Sequence, residues 1–434
     1  MLRLVRNRPL VHIEGKLTKT GGLLLVSDGP PVPLGEVCVI DAATPLYAEV
    51  TGFRGDQLVL LPLGETGHLQ AGMRVRHVAG GLPVPLGEGL VGRVLDGLGR
   101  PIDGKGPLQG VQEGAVDHAV ADPLRRRMID RPFVTGIRAI DGLLTLGEGQ
   151  RVGVFAGSGV GKSTLLGMVA RNALADINVI ALIGERGREV REFLEDDLGA
   201  QGLARSVVVV ATSDQPPMVR VKAAFVATRI AEFFRDRGGQ VLFLMDSVTR
   251  FCMAQREAGL AIGEPPATRG YPPSVFSRLP ALLERTGAGE KGAITAFYTV
   301  LVEGDDMNEP VADAVRGILD GHIVLSRELA NRRHFPAIDV LQSVSRLRTR
   351  VLAAPERQLS DAALQLLAVY EEAREMVEIG AYPLGSNRRW DEAIAVHEPL
   401  EAFLCQSPEE KSDLQGCFHT LQHVLSPLQK EKSA

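Results

Sequence analysis

The stretch from Arg151 to Leu165, RVGVFAGSGVGKSTL, constrains the fold more than any other part of this chain. Val152, Val154 and Phe155 read as a short apolar strand, Gly157, Gly159 and Gly161 as a tight turn, and Lys162-Ser163-Thr164 as the opening of a helix. The spacing follows the phosphate-binding pattern G-x-x-x-x-G-K-[ST], with Ala156 in the first glycine position. Alanine is acceptable there if the backbone keeps a negative φ. Glycines let successive N–H groups turn inward toward phosphate oxygens, and the helix N-terminus adds its positive dipole end. Gly157, Ser158, Gly159, Val160, Gly161, Lys162, Ser163 and Thr164 are therefore expected to cradle a nucleoside triphosphate, with Lys162 on the β- and γ-phosphates and Ser163 on Mg²⁺. The competing reading is a glycine-rich strand-to-helix turn that carries Lys-Ser by chance.

A chain of 434 residues exceeds one typical core, so two or three domains are expected. Hydrophobic residues at 45% and charged residues at 23% are ordinary for a soluble globular protein. A net charge of −5 argues against a broadly basic surface, and no nucleic-acid partner is expected. Cys38, Cys252, Cys405 and Cys417 are far apart in sequence, which suggests neither a zinc site nor a disulfide framework and suits a reducing cytosol. The opening residues lack a signal-peptide pattern, and no apolar run of about 18 residues is present to span a bilayer. The expectation is a cytoplasmic protein.

From about Leu10 to Val94 short alternating segments, the last of them LVGRVLD, are punctuated by glycine, proline and aspartate, as in a small barrel. The hexapeptide PVPLGE occurs twice, at 31–36 and 83–88, each time leading into a strand. Residues 97–132 are rich in glycine, proline and charge and read as a linker, in which Arg125 to Arg127 form a solvated face. From Phe133 to Arg346 apolar runs such as NVIALIGE, SVVVVAT, QVLFLMD, AITAFYTVLV and HIVLS, expected to be buried on both faces, alternate with helical patterns. That alternation predicts a parallel sheet covered by helices. After Arg346 the patterns are helical, with Ser360 or Asp361 as the first cap. The expected domains are 1–96, a β-barrel; 97–132, a linker; 133–346, the P-loop domain; and 347–434, helical with a frayed tail.

Two further carboxylates stand where a nucleotide site needs them. Asp246 closes the buried run VLFLMD, which is expected next to the P-loop strand, and can hold Mg²⁺ there. Glu185 in GERGREVREF follows the NVIALI strand, at the carboxyl end where ligands bind in open α/β sheets, and can polarise a water. Taken alone, the first can also be read as a capping or loop aspartate, and the second is more often an ordinary acidic helix start.

The phrases GVGKST, LIGERGREVREF, VLFLMDSVTRFCMAQRE, GEPPATRGYPPSVFSRLPALLERTG, ITAFYTVLVEGDDMNEP and HFPAIDVLQSVSR together resemble the catalytic subunit class of rotary ATPases. More closely they are similar to its homohexameric relatives, the export ATPases of flagellar and type III secretion systems. The likeness runs to near Ala395, and PVADAVRGILDGHIVLSRELA and GAYPLGSN are similar to the flagellar branch. It implies a multidomain α/β fold with a small N-terminal β-barrel, a central RecA-like P-loop α/β nucleotide domain with a parallel sheet, and a C-terminal helical domain. It also implies ATP and Mg²⁺ as ligands, Glu185 as the base that orients water, and Asp246 and Ser163 at the metal. Arg186, Glu189 and Arg250 fall around the γ-phosphate, Arg346 is the arginine finger donated to a neighbouring subunit, and Phe335 packs on the adenine.

Other roles stay open for three of these: Arg346 as an intrachain ion-pair partner, Phe335 as a core residue and Arg250 as a helix cap. The implied partners are further copies in a hexamer, a stator-like regulator, a central stalk-like protein, the membrane export gate, and export substrates with their chaperones, at the cytoplasmic face of the inner membrane. The arm RLVRNRPLV is shorter than the amphipathic stretch that docks such a regulator, and SPEEKSDLQGCFHTLQHVLSP has no counterpart in the resemblance. The alternatives are an injectisome ATPase, a proton-translocating ATP synthase catalytic subunit, and a hexameric nucleic-acid motor.

Overall fold

A computed structural model describes residues 13–118, 122–302 and 309–431. The arm at 3–11, residues 303–308 of the VEGDDMNEP phrase and the last three residues of the tail lie outside the described residues.

Six short strands close on themselves: β1 (Glu14–Gly21), β2 (Leu24–Ser27), β3 (Val37–Ile40), β4 (Leu46–Arg54), β5 (Gln57–Pro62) and β6 (Arg74–His77), in the order β1-β2-β5-β4-β3-β6, with β1 alternating between exposed and buried residues and the apolar β3 buried throughout. Closure leaves no unpaired edge. Leu17, Leu25, Ile40, Leu60 and Val75 fill the interior. Glu49 of β4 is buried and points instead at the nucleotide domain, where Lys222 Nζ lies 2.5 Å away and Arg278 donates to it at 2.9 Å. Burial would raise the Glu49 carboxyl, but the two cations outweigh it and hold it below the usual range. Glu49→Ala strands the buried Lys222 charge and is expected to cost about 3–5 kcal/mol of stability. Urea denaturation checks this; an unchanged midpoint removes the latch.

The second PVPLGE forms a strand itself, β7 (Pro83–Leu86), whereas the first is a turn leading into β3. LVGRVLD is not a barrel strand: β8 (Arg93–Asp96) runs parallel to a strand of the central sheet. Val94 and Leu95 pack into two different cores, one on each side, so β8 needs cover on both faces. The expected linker supplies β9 (Gln112–Ala115), which pairs with β7, and the Arg126 guanidinium braces the carbonyls of Glu284 and Thr286 rather than facing solvent.

The central domain opens with a two-residue pair, β10 (Pro132–Phe133) and β11 (Leu146–Gly147), and then alternates. In order come β12 (Arg151–Ala156), α1 (Lys162–Asn172), β13 (Ile177–Ile183), α2 (Gly187–Glu192), α3 (Gly199–Ala204), β14 (Ser206–Ala211), α4 (Pro217–Asp236), β15 (Gln240–Asp246), α5 (Val248–Ala261), α6 (Pro273–Leu283), β16 (Gly287–Ala288), β17 (Ala293–Leu301), α7 (Pro310–Ile318), β18 (Gly321–Leu325), α8 (Arg327–Asn331) and β19 (Ile338–Ser345). The sheet order is β19-β18-β12-β17-β15-β13-β14-β8, with β16 paired to β17. β17 therefore separates the Asp246 strand from the P-loop strand, contrary to the sequence expectation. β13 and β14 are buried throughout, as their apolar runs require. β18 instead alternates, because its neighbour β19 is an antiparallel edge strand that the sequence reading did not identify.

Four helices complete the chain: α9 (Arg348–Val351), α10 (Ala354–Glu378), α11 (Arg388–Leu404) and α12 (Leu414–Glu431). α10 starts earlier than Ser360. Pro355 sits in its first turn, and Glu356 accepts from the Ala353 N–H at 3.1 Å. Ser360 is buried and donates to the Gly142 carbonyl instead of capping. α12 covers most of the stretch left unassigned, and buries Cys417, Phe418, Leu421 and Leu425 against the nucleotide domain and α10–α11.

Candidate nucleotide site

β12 delivers the chain to a loop that only glycine can follow at two points, Gly159 (φ 76°) and Gly161 (φ 87°), before α1 begins at Lys162. The loop borders a cleft of about 630 Å³ at the carboxyl ends of the parallel strands. Gly157, Ser158, Gly159, Gly161, Lys162, Ser163 and Thr164 all line it, as do Glu185, Arg186, Glu189, Asp246 and Arg250. The Val160 side chain does not; it is buried in the core, so Val160 has only its backbone to offer.

Lys162 Nζ lies 2.6 Å from Asp246 Oδ1 and 3.9 Å from Glu185 Oε1. Burial alone would lower the Lys162 amine, but the two carboxylates outweigh it and raise it. Asp246 is fixed from the far side by Thr299 on β17, whose hydroxyl donates to Oδ1 at 2.7 Å. That contact follows from the strand order, with β17 between β12 and β15. Nothing in the sequence singles out a threonine within AITAFYTVL for this task.

Glu185 stands at the end of β13, and burial, reinforced by the Asp246 charge, pushes its carboxyl up to about 7. Its Oε1 is buried and has no hydrogen-bond partner among the described residues. A carboxylate oxygen left without a donor in a polar cleft is poised to take one from water or substrate. Its neighbour Gly184 (φ 72°) makes the approach of α5 possible, since a Cβ there would stand 2.8 Å from Arg250 Cβ. Arg250 is not the helix cap: Ser247 caps α5, its Oγ accepting from the Arg250 backbone N–H at 3.2 Å, while Arg250 lines the cleft with its Nε unpartnered among the described residues. Arg186 is on the exposed rim and pairs with Glu189 at 3.1 Å.

For a cation, the cleft offers the exposed Ser163 hydroxyl and the Asp246 carboxylate. Among the described residues no cluster of three metal-ligating side chains exists; a magnesium ion here would be held by the one carboxylate and the hydroxyl together with substrate phosphates.

Two further predicted residues lie off the cleft. Phe335, in the α8–β19 loop, is 38% exposed and so is not a core residue; its ring stands beside Gly161, 3.6 Å from where a Cβ there would be. Arg346 follows β19, beside the start of β18, since Ser345 pairs with Gly321 while Leu325 pairs with Ala156. It therefore lies about 13 Å of strand from the P-loop, at the opposite end of the sheet. It is exposed, donates to the Arg316 carbonyl at 3.4 Å, and has no carboxylate partner among the described residues. Arg327, which also lines the cleft, was missed because an arginine after HIVLS reads as a helix start.

A phosphate loop, a strand-end carboxylate beside its lysine and a second, near-neutral carboxyl define a P-loop nucleotide hydrolase. Residues 136–345 match the family model of the ATP synthase alpha/beta family, nucleotide-binding domain, and residues 353–423 match that of the T3SS EscN ATPase C-terminal domain. The chain is 52% identical to the flagellum-specific ATP synthase of Bacillus subtilis over 94% of each chain. It is also 52% identical to the type 3 secretion system ATPase of Xanthomonas euvesicatoria, over 94% of this chain and 93% of that one. The assembled ATPase EscN of the enteropathogenic E. coli type III secretion system superposes with a TM-score of 0.88 at 45% identity, over 95% of this chain and all of that one. The chain belongs to the ATP synthase alpha/beta family, as an ATPase of its flagellar and type III secretion branch.

Proposed function

We propose that this ATPase hydrolyses Mg²⁺-bound ATP to energise protein export through a flagellar type III apparatus, as a ring whose sites are completed by Arg346 of the neighbouring copy. The observation that carries the ring is the placement of Arg346: it is exposed, without a carboxylate partner among the described residues, and at the end of the sheet away from its own phosphate loop.

In this reading the loop N–H groups and Lys162 bind the β- and γ-phosphates, and Ser163 and Asp246 hold the cation. Magnesium, when bound, neutralises charge on the phosphoryl oxygens. Glu185 Oε1 orients the attacking water and accepts its proton, Arg186, Glu189 and Arg250 surround the γ-phosphate, and Phe335 packs on the adenine. A hexamer is the assembly proposed. The complex of EscN with its central stalk EscO supports a stalk-like partner here. A stator-like regulator, an export gate at the inner membrane, and substrates with chaperones complete the set. No described helix is long and apolar enough to cross a membrane, so attachment to the cytoplasmic face would be peripheral.

Specific ATPase activity is expected to fall steeply as the protein is diluted below its assembly concentration. Constant specific activity across a wide dilution series would remove the shared site. Expression in a strain lacking its flagellar ATPase is expected to restore swimming; restored injectisome secretion without swimming would reassign the system.

A further inference from the structure

Residues 405–410, which join α11 to α12, overlap the stretch that the resemblance leaves unassigned, yet they grip the nucleotide domain at several points. Gln406 is only 4% exposed, and its whole amide is engaged. Oε1 accepts from the Arg138 N–H at 2.9 Å, and Nε2 donates to the carbonyls of Gly136 at 2.8 Å and Glu410 at 3.0 Å. The Gln406 backbone N–H donates to the Phe335 carbonyl at 2.9 Å. One residue earlier, His334 Nδ1 lies 2.8 Å from Glu401 Oε2 on α11. The peptide that carries Phe335 is therefore held by α11, through His334, and by the connector, through its own carbonyl.

The same connector reaches the far end of α1. Arg171 donates to the Pro408 carbonyl at 2.8 Å and Asn172 to that of Glu410 at 3.3 Å. Arg138 closes the arrangement by donating to the carbonyls of Phe403, at 2.8 Å, and Cys405, and by pairing with Glu410. One segment thus fixes the helix of the phosphate loop at its C-terminal end and the ring beside Gly161 at its N-terminal end. Connecting loops ordinarily leave their polar groups to water. A buried amide with every donor and acceptor paired specifies one geometry instead.

We propose that residues 405–410 form a clasp that sets the position of Phe335 over the phosphate loop, with Gln406 as a positioning residue for the base of the bound nucleotide. This rests on the reading of Phe335 as the side chain that packs on the adenine. Gln406 touches no substrate and acts through the Phe335 peptide and the Gly136–Arg138 segment behind it.

The test uses the full chain, steady-state ATP hydrolysis, and inhibition by inorganic tripolyphosphate, which offers phosphates without a base. Phe335→Ala is expected to raise KM for ATP about ten-fold. Gln406→Ala is expected to raise it about five-fold, with kcat changed by less than about two-fold and tripolyphosphate inhibition unchanged. In the Phe335→Ala background, Gln406→Ala is expected to add nothing. If Phe335→Ala leaves KM alone, the base-packing reading fails and the clasp with it. If Phe335→Ala raises KM and Gln406→Ala does not, only the clasp fails. Additive effects, or a matching loss of tripolyphosphate affinity, make Gln406 a general structural residue and overturn the proposal. Should Gln406→Ala not fold, Gln406→Glu carries the same test, since it keeps the acceptor for Arg138 and loses both donors.

Discussion

Glu185→Gln is expected to lower kcat by about two orders of magnitude or more while leaving ATP binding intact, because the amide keeps the shape of the carboxyl but cannot take a proton from water. The native pH profile supplies a second readout. With the Glu185 carboxyl pushed up to about 7, a base at this position becomes mostly ionised as the pH passes that value, so kcat/KM is expected to rise through neutrality and level off on the alkaline side. In the Gln variant that limb disappears. Stability moves the other way. A carboxyl whose folded value is raised holds its proton in the native state while the unfolded chain releases it, so native stability falls as pH rises from about 4.5 to 7. The Gln side chain is neutral throughout, and the variant is expected to melt no lower than the native protein at pH 8. An unchanged turnover, measured together with unchanged nucleotide binding, would place the base elsewhere.

Arg346→Ala is expected to lower kcat by about 10³-fold, the lower range for an arginine finger, without loss of stability, since among the described residues the native guanidinium makes only a long bond, to the Arg316 carbonyl. The informative measurement is a mixture. If the finger acts across an interface, a ring that combines Arg346→Ala and Glu185→Gln chains contains some interfaces with an intact Glu185 on one side and an intact Arg346 on the other. Random mixing makes these about a quarter of the total in a head-to-tail ring, so two inactive preparations recover activity together. No recovery under conditions where rings form would return Arg346 to its own chain.

Much of the site was readable because its parts are local in sequence. The phosphate loop needs glycine at 159 and 161 for positive φ, and a lysine directly after the last glycine, whatever surrounds it. Glu185 and Asp246 were readable because each ends a run of buried apolar residues, and strand ends in an open α/β sheet face the ligand. β8 was misplaced because a four-residue strand after several barrel strands carries no mark of its partner. Only the packing of Val94 and Leu95 into separate cores decides it. Thr299 was invisible for a related reason, as strand order is a long-range property.

The sequence by itself determined the chemistry available: a phosphate loop, two strand-end carboxylates, an arginine after the SVS run and an aromatic ring. Tertiary structure decided how they relate. It inserted β17 between the P-loop strand and the Asp246 strand, brought Lys162 onto Asp246, buried Glu185 until its carboxyl approached neutrality, and sent Arg346 to the opposite end of the sheet. It also folded the unassigned C-terminal stretch back against α1, with Gln406, just before it, on the Phe335 carbonyl. The division has a physical cause. Backbone conformation and residue chemistry are set by near neighbours in the chain, whereas burial, charge coupling and reach depend on which distant segments pack together.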